Sequence, residues 1–208
     1  MSSEQVELFA EAVRQPGATM EDLQDAVPPE QPQLSSTSRK VRWESPFMTS
    51  YWGRKHCYSM GTMLLFVICS EGLHLGEDFL STIVHYIFSV HSVEVNEEEA
   101  TEDNWTLLHY CAAYGNDRLA SILIGKGADV NAPGRRGMLW TPLHLAVNGA
   151  RINVIKVMLS HDRDGVTLDT TLQDSGARTA LDIAREYNQK GCVQLLVDHE
   201  SAKVSKEF

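Results

Sequence analysis

The sequence predicts an all-α solenoid of about four helix-pair units, in which finger loops connect each unit to the next. The first observation is an internal repeat: a Thr-x-Leu start followed by a short apolar helix begins at Thr106, at Thr141 and at Thr179. The second is a further apolar helical stretch after each start. The third is the spacing of the starts, 35 and 38 residues, because a period of roughly 20–50 residues indicates stacked supersecondary units.

The middle segment, "TPLHLAVNGARINVIKVMLSHD", has the local chemistry of a helix pair. Thr141 is a favourable N-cap, and Pro142 suits the first helical position because the N–H that it lacks would have no partner in the helix. Leu143 and Ala146 share one face of the first helix. The second helix gains an apolar stripe from Val154, Ile155, Met158 and Leu159.

The turn between the two helices of a unit needs a residue that tolerates a positive φ. Gly115 and Asn188 stand at this point in the first and third segments, and both residue types accept such a conformation. The middle segment has Ala150 there, after Gly149. We therefore expect the middle turn to be shifted or slightly strained.

The three segments resemble the ankyrin repeat, whose pattern T-P-L-H-x-A-A-x-x-G is followed by a second helix and G-A-D-V-N-A, here "GADVNA" at residues 127–132. This resemblance covers about half of the chain and implies protein binding at a concave face. It also implies that the motif histidines, His109 and His144, bond to nearby backbone and threonines rather than perform catalysis. Asp182 replaces the histidine in the third segment, which excludes a uniform histidine chemistry.

A divergent first unit precedes these segments. Residues 61–72, "GTMLLFVICSEG", place Thr62 and Leu64 in the repeat frame, and "SVEVN" at 92–96 corresponds to "GADVN" at 127–131. The predicted ankyrin domain therefore covers 58–200, with units at about 58–96, 97–131, 132–171 and 172–200, the last acting as the C-terminal cap. A tail at 201–208 follows it.

Two segments precede the predicted domain. Residues 1–27 form an acidic helical segment with two short helices, "SEQVELFAEAV" and "TMEDLQDAV", and Thr19 and Asp22 form a capping pair for the second. Residues 28–57 comprise a flexible linker and a basic, aromatic stretch. Residues 39–56 alone carry five basic residues and one acidic residue.

The composition and motifs of the chain argue against several classes of function. The net charge of −10 argues against nucleic-acid binding, which needs basic surface. No phosphate-binding glycine loop, nucleophile elbow or metal-ligand spacing is present, so we predict no enzyme, no cofactor and no metal site. A hidden catalytic domain in residues 1–60 would be too short for a catalytic core. Four scattered cysteines and the lack of a secretory signal or a membrane-spanning run favour a cytoplasmic or nuclear protein without membrane insertion, monomeric alone.

The finger loops are the first candidate partner surface. The connections at 132–140 and 162–171 are longer than the usual repeat, and such insertions enlarge the loops beside the concave face. Arg135, Arg136, Met138 and Trp140 form a basic, aromatic tip on the first. Trp140 contacts a partner or, as an open alternative, packs on the neighbouring finger. Further partner-binding candidates are Tyr110, Tyr114 and Asn148.

The second candidate lies in the basic stretch. Lys40–Trp43, "KVRW", fits the docking pattern [Lys/Arg]-[Val/Ile]-x-[Phe/Trp] for the type-1 protein phosphatase catalytic subunit, and Tyr51-Trp52 follows as a paired hydrophobic position. The arrangement resembles ankyrin-type regulatory subunits of that phosphatase. Such a segment adds an extended strand to a sheet edge, with Val41 and Trp43 on the same face.

The same aromatic residues allow a different interpretation. Leu64–Ile68 is apolar all round and needs a cover, which Trp43, Phe47, Tyr51 and Trp52 would supply if residues 39–58 folded back as an N-terminal cap. The two functional hypotheses are therefore a phosphatase-docking adaptor and a plain scaffold or inhibitor that masks a signalling or transcription protein.

Two modification sites are also predicted. The spacing from Leu123 to Asp129-Val130-Asn131 resembles sequences accepted by the oxygen-sensing asparaginyl hydroxylase, which implies modification of Asn131. Ser38 stands beside the basic stretch, where phosphorylation would weaken docking into an acidic groove.

Overall fold

The computed structural model describes residues 3–26, 41–43, 56–58, 60–91, 93–98, 104–134, 138–161 and 167–204. The chain consists of two compact units, Met1–Leu107 and Leu108–Phe208. Within the described residues there are ten α-helices, one 3₁₀ turn and two three-residue strands. The predicted all-α architecture is confirmed.

The N-terminal unit begins with helices α1 (Ser3–Arg14) and α2 (Met20–Ala26), at the two places where the sequence predicts them. Thr19 caps α2: its backbone N–H and its hydroxyl donate to Asp22 Oδ2 at 2.8 and 2.7 Å. The hydroxyl bond and then the backbone bond lower the pKa of the Asp22 carboxyl. The predicted capping pair is therefore confirmed.

Helix α3 (Met60–Glu71), a 3₁₀ turn (Gly72–His74) and helix α4 (Glu77–Val90) form the divergent first helix pair. Residues 64–68 of α3 are no more than 2% exposed. The Thr62 hydroxyl donates to Glu97 Oε2 at 2.6 Å, which ties the start of α3 to the loop after α4.

Helix α1 covers α3, a packing that the sequence analysis missed. The two helices pack together, and α1 buries Val6, Phe9, Ala10 and Val13, each at 2% exposure or less. Their spacing places them on one helical stripe, and full burial of a Val or Phe side chain contributes about 1.5–3 kcal/mol. The cover that the sequence predicts for α3 consists of Trp43, Phe47, Tyr51 and Trp52, whose side chains lie outside the described residues.

The docking pattern coincides with a short strand. Strand β1 (Val41–Trp43) pairs antiparallel with strand β2 (His56–Tyr58), so that Val41 lies opposite Tyr58 and Arg42 opposite Cys57. Helix α1 also packs against β1. The sequence predicts an extended backbone here but gives β1 no partner, because "HCY" is too short to be recognised as a strand.

The C-terminal unit contains three helix pairs, which with α3 and α4 give the four predicted pairs. The pairs are α5 (Leu107–Tyr114) with α6 (Asp117–Gly125), α7 (Pro142–Asn148) with α8 (Ile152–His161), and α9 (Ala180–Glu186) with α10 (Lys190–Val204). First helices stack on first helices (α7 on α9), and second helices stack on second helices (α6 on α8 and α8 on α10). The apolar stripe predicted for α8 is buried.

The three inter-helix turns adopt the predicted positive φ. The angle is 86° at Gly115, 53° at Asn188 and 50° at Ala150. Ala150 has no glycine-like freedom, so the middle turn carries the strain that its sequence predicts.

Three further observations concern the described residues. Cys69, Cys111 and Cys192 are buried, and each is a thiol rather than half of a disulfide. None of the described helices combines the length and hydropathy needed to cross a membrane. The same residues contain no group of three or more His, Cys, Asp or Glu side chains suited to hold a metal ion.

Candidate functional site

The motif histidines serve the fold of the C-terminal unit. His144 Nδ1 lies 2.8 Å from the Thr141 hydroxyl at the start of α7, and its Nε2 lies 3.3 Å from the Arg178 carbonyl oxygen on the next finger. His109 Nε2 similarly lies 3.2 Å from the Trp140 carbonyl oxygen. These contacts support the structural role that the sequence analysis expects.

Both histidines are held neutral. Burial lowers the pKa of His109 to about 4, although the carbonyls of Trp140 and Ala132 oppose the shift. Burial also lowers the pKa of His144. An imidazole with this bias against the charged form, enclosed by its own backbone contacts, is a poor general acid or base at neutral pH.

The described part of the second finger loop, residues 167–179, is built around the carboxylate of Asp174. Its Oδ1 accepts the backbone N–H groups of Gly176 and Arg178 at 2.8 and 2.9 Å. Its Oδ2 accepts Arg178 Nε at 3.0 Å and Nη2 at 2.8 Å. Burial alone would raise the pKa of Asp174, but these hydrogen bonds outweigh it and lower the pKa to about 2.

Trp140 joins the first finger loop to this carboxylate. Its ring Nε1–H donates to Asp174 Oδ2 at 3.2 Å, and its carbonyl oxygen accepts the Gly134 N–H at 3.0 Å. The Trp140 ring is half-buried. The Trp140 ring N–H therefore contacts the neighbouring finger, which is the alternative that the sequence leaves open.

Asn131 forms a second link between the two fingers. Its Nδ2 donates to the Thr167 carbonyl oxygen at 2.7 Å, and its Oδ1 accepts the Asp169 N–H at 2.9 Å. Both ends of the side-chain amide are thus used by the fold. Its own N–H donates to Asp129 Oδ1 at 2.9 Å.

An apolar pair lies beside these links and faces solvent. Met138 is 53% exposed and Leu139 is 44% exposed. Their backbone is fixed, because the Ser175 N–H donates to the Met138 carbonyl oxygen at 2.9 Å. Leu139 has a φ of 52°, a conformation that costs a bulky residue about 1–2 kcal/mol. We call Met138, Leu139 and the half-buried Trp140 the finger-tip surface.

The inter-helix turns present a separate polar surface. Arg151 Nε donates to the Ala113 carbonyl oxygen at 3.1 Å, and its side chain lies across two turn glycines. A Cβ at Gly115 would come within 2.9 Å of Arg151, and a Cβ at Gly149 within 3.1 Å. Asn148 is exposed there, and its carbonyl oxygen accepts Gln189 Nε2 at 3.4 Å.

The predicted partner residues differ in exposure. Met138 and Asn148 are exposed, Tyr114 and Trp140 are half-buried, and Tyr110 is buried at 3% exposure. Val41 and Trp43 lie in β1, and nothing is described of their side chains. Six predicted site residues lie outside the described residues: Ser38, Lys40, Tyr51, Trp52, Arg135 and Arg136.

Three residues of these surfaces were missed in the sequence. Asp174 belongs to no recognisable motif: Trp140 comes from another finger, and Gly176 and Arg178 lie two and four positions on. Leu139 does not stand out from its neighbours Met138 and Trp140, since no sequence pattern predicts a positive φ at leucine. Tyr187, 56% exposed at the turn between α9 and α10, belongs to the surface of the inter-helix turns, and its sequence context indicates only a repeat.

Comparison with known proteins agrees with the fold. The family model for ankyrin repeats (three copies) matches residues 54–165 and 135–207. The chain is 28% identical over 132 residues to the human transient receptor potential cation channel subfamily A member 1, with 58% of this chain and 11% of the channel aligned.

Two further relatives show similar coverage. Mouse rabankyrin-5 is 27% identical over 104 residues, which are 50% of this chain and 8% of that protein. The mouse RelA-associated inhibitor is 30% identical over 112 residues, which are 52% of this chain and 13% of that protein. The chain therefore matches only about a tenth of the length of these relatives.

Proposed function

Because this chain belongs to the ankyrin-repeat family, whose members typically act as non-enzymatic protein-interaction modules, we propose that it is an adaptor that binds a protein partner through the finger-tip surface. Tyr114 and Asn148, at the inter-helix turns of the same unit, form a separate part of the contact on the concave face. The adaptor works in the cytoplasm or nucleus and is monomeric until it meets its partner.

The observation that carries this proposal is the conformation of Leu139. A leucine at positive φ is strained, and it is also 44% exposed, so the fold gains little burial in return. Strained residues persist where the surrounding structure fixes them, and they cluster at ligand-binding positions. Here the surrounding structure consists of the Ser175–Met138 backbone bond and the Trp140–Asp174 bond. This support fixes an exposed apolar pair in place, which reduces the entropy lost on binding.

The chain provides a matched control for a test of this surface. Leu73 is 52% exposed, close to the 53% of Met138, and lies in the N-terminal unit. We expect Met138→Glu to remove specific partners from an affinity capture quantified by mass spectrometry, because a charge in an apolar contact must be desolvated. Leu73→Glu should leave the captured set unchanged. Equal losses with both variants, or no loss with either, would contradict the proposal.

A second candidate function is docking of the type-1 protein phosphatase catalytic subunit through Lys40–Trp43. The observation that favours it is that Val41–Trp43 has a strand conformation. A docking segment that joins a sheet edge must be extended, and in a strand the side chains at positions 41 and 43 point to one face. The basic charge of residues 39–56 would favour an acidic groove.

Val41→Ala/Trp43→Ala separates docking from the alternative in which residues 39–58 only cap the first helix pair. If the segment docks, the double variant should lose binding of the purified phosphatase in a pull-down, with an unchanged thermal melt. If the segment caps the fold of a scaffold or inhibitor, wild type should not bind the phosphatase, and the melting temperature of the variant should fall.

Two modifications complete the proposal. Hydroxylation of Asn131 would act on a side chain whose amide already bridges to Thr167 and Asp169. If mass spectrometry finds no oxidised Asn131 after co-expression with the hydroxylase, this modification is contradicted. Phosphorylation of Ser38 would weaken phosphatase docking, and Ser38→Asp binding as tightly as wild type would argue against that switch.

A further inference from the structure

We propose that the docking strand is self-masked: β1 is held by β2 and by α1, and the phosphatase can take it up only after β2 has left. This inference rests on the proposed docking function and adds its regulation. It concerns contacts within the N-terminal unit.

A β-strand has two edges, and β-strand addition requires a free one. Strand β2 pairs with one edge of β1 in a fixed register, with Trp43 opposite His56 and Val41 opposite Tyr58. Among the described elements, helix α1 also packs against β1. The strand that carries the docking pattern therefore has two neighbours in its own unit before any partner arrives.

Each restraint on β1 is weak enough to be displaced. The pairing with β2 involves three residues on each strand, and an isolated two-stranded pair is only marginally stable in water. Helix α1 remains anchored on α3 by its own buried stripe, so loss of β2 need not unfold the N-terminal helices. A partner whose sheet offers a longer edge can then replace β2.

Charge favours the masked state when no partner is present. Residues 1–38 carry seven acidic residues and one Arg, whereas residues 39–56 carry five basic residues and one acidic residue. Glu7 and Glu11 are exposed on α1, the helix that packs against β1. A phosphatase with an acidic docking groove would compete with these carboxylates for the same basic stretch.

The strand register allows β1 and β2 to be joined reversibly by an introduced disulfide. Arg42 lies directly opposite Cys57, and opposite residues of an antiparallel pair have Cα atoms about 4.5–5.5 Å apart, within the range that a disulfide spans. Arg42→Cys leaves Val41 and Trp43 unchanged, because residue 42 is the variable position of the docking pattern. Oxidised glutathione would join the thiol introduced at position 42 to Cys57 in a disulfide and would itself be reduced to two glutathione thiols. Dithiothreitol would open this disulfide again.

The experiment measures binding of the purified type-1 phosphatase catalytic subunit to the full chain by calorimetry. We expect reduced Arg42→Cys to bind like wild type and the oxidised form to bind at least tenfold more weakly. Arg42→Ser with Cys57 intact, treated with the same oxidant, is the matched control for oxidation of other thiols and should not change. Cys57→Pro, which disfavours strand β2 because proline is poorly tolerated within a paired strand, should bind several-fold more tightly than wild type.

The outcomes separate this inference from the docking proposal. Equal binding by the oxidised and reduced forms would overturn the masking and leave the docking intact. Failure of the disulfide to form, read by mass spectrometry, would overturn the strand pairing itself. Absence of binding by wild type, by the reduced variant and by Cys57→Pro would overturn the docking, and the masking with it.

Discussion

Leu139 and Asp174 are the two residues on which the finger-tip surface depends, and they act in opposite ways. Leu139 is strained and exposed, so the folded chain would be at least as stable with glycine there. Asp174 is buried and accepts hydrogen bonds from Trp140, Gly176 and Arg178, so the folded chain needs its carboxylate. Stability and partner binding should therefore respond differently to substitution at these two positions.

Leu139→Gly should leave the free energy of unfolding unchanged or raise it by up to about 1 kcal/mol, because glycine adopts positive φ without a steric penalty. Partner binding should nevertheless weaken, since the apolar side chain is lost. Leu139→Ala is the control: it keeps the Cβ and hence the strain, and should give no stability gain. Chemical denaturation checks the first expectation, and a clear destabilisation by Leu139→Gly would contradict it.

Asp174→Asn should lower the free energy of unfolding by about 1–3 kcal/mol, because the buried carboxylate loses its charge-assisted hydrogen bonds from Arg178, which keeps Glu186 as an ion-pair partner. Trp140→Phe removes one ring N–H from the same carboxylate and should cost about 1 kcal/mol. Since the pKa of Asp174 is lowered to about 2, its contribution is present above its ordinary pKa and is lost as the pH falls from about 4 towards 2. Equal stability of Asp174→Asn and wild type in urea would contradict this account.

At the scale of elements, the fingers are tied to the helices by hydrogen bonds that reach from one unit of the repeat to the next. Helix α5 contributes His109, whose Nε2 contacts the backbone of the first finger at Trp140, and α7 contributes His144, which contacts the second finger at Arg178. Both side chains are buried. Protonation would introduce charges into these links, so finger position depends on the neutral imidazoles.

Stability should consequently fall as the pH drops from about 6.5 to 4. The pKa of His109 is lowered to about 4 by burial, so the unfolded chain binds a proton in this range that the folded chain does not. The corresponding loss is about 3 kcal/mol for this histidine alone, and His144 acts in the same direction. His109→Gln should flatten the dependence in urea titrations at several pH values, and an unchanged slope would show that another group is responsible.

At the scale of the whole molecule, the helix pairs could be predicted because each carries its own signal. Thr141 and Thr179 mark helix starts, and Gly115 and Asn188 mark turns, so short stretches of sequence are enough to identify the repeat. The packing of α1 on α3 was harder to predict, because the two helices are far apart in sequence. The amphipathic stripe of α1 indicates that one face is buried but not which helix it packs against. The Trp140–Asp174 and Arg42–Cys57 juxtapositions also depend on chain folding, and no local pattern predicts them.

The two units carry the two proposed sites of protein recognition. The N-terminal unit contains β1, the proposed docking strand, and the C-terminal unit contains the finger-tip surface. The proposed adaptor uses both modes, with the phosphatase on the strand and the partner on the fingers. The finger-tip surface is central to this account, because it is the proposed binding surface that contains a strained and exposed apolar residue, Leu139.

The most direct test is site-specific photo-crosslinking of the full chain in a cell extract. A photoreactive amino acid is placed at residue 138 and, as controls on exposed positions of other elements, at Leu73 and at Lys156 on α8. We predict a discrete protein adduct from position 138 that positions 73 and 156 do not give, and that Leu139→Gly in the same chain weakens. The same adducts from all three positions, or none from position 138, would contradict the proposed adaptor surface.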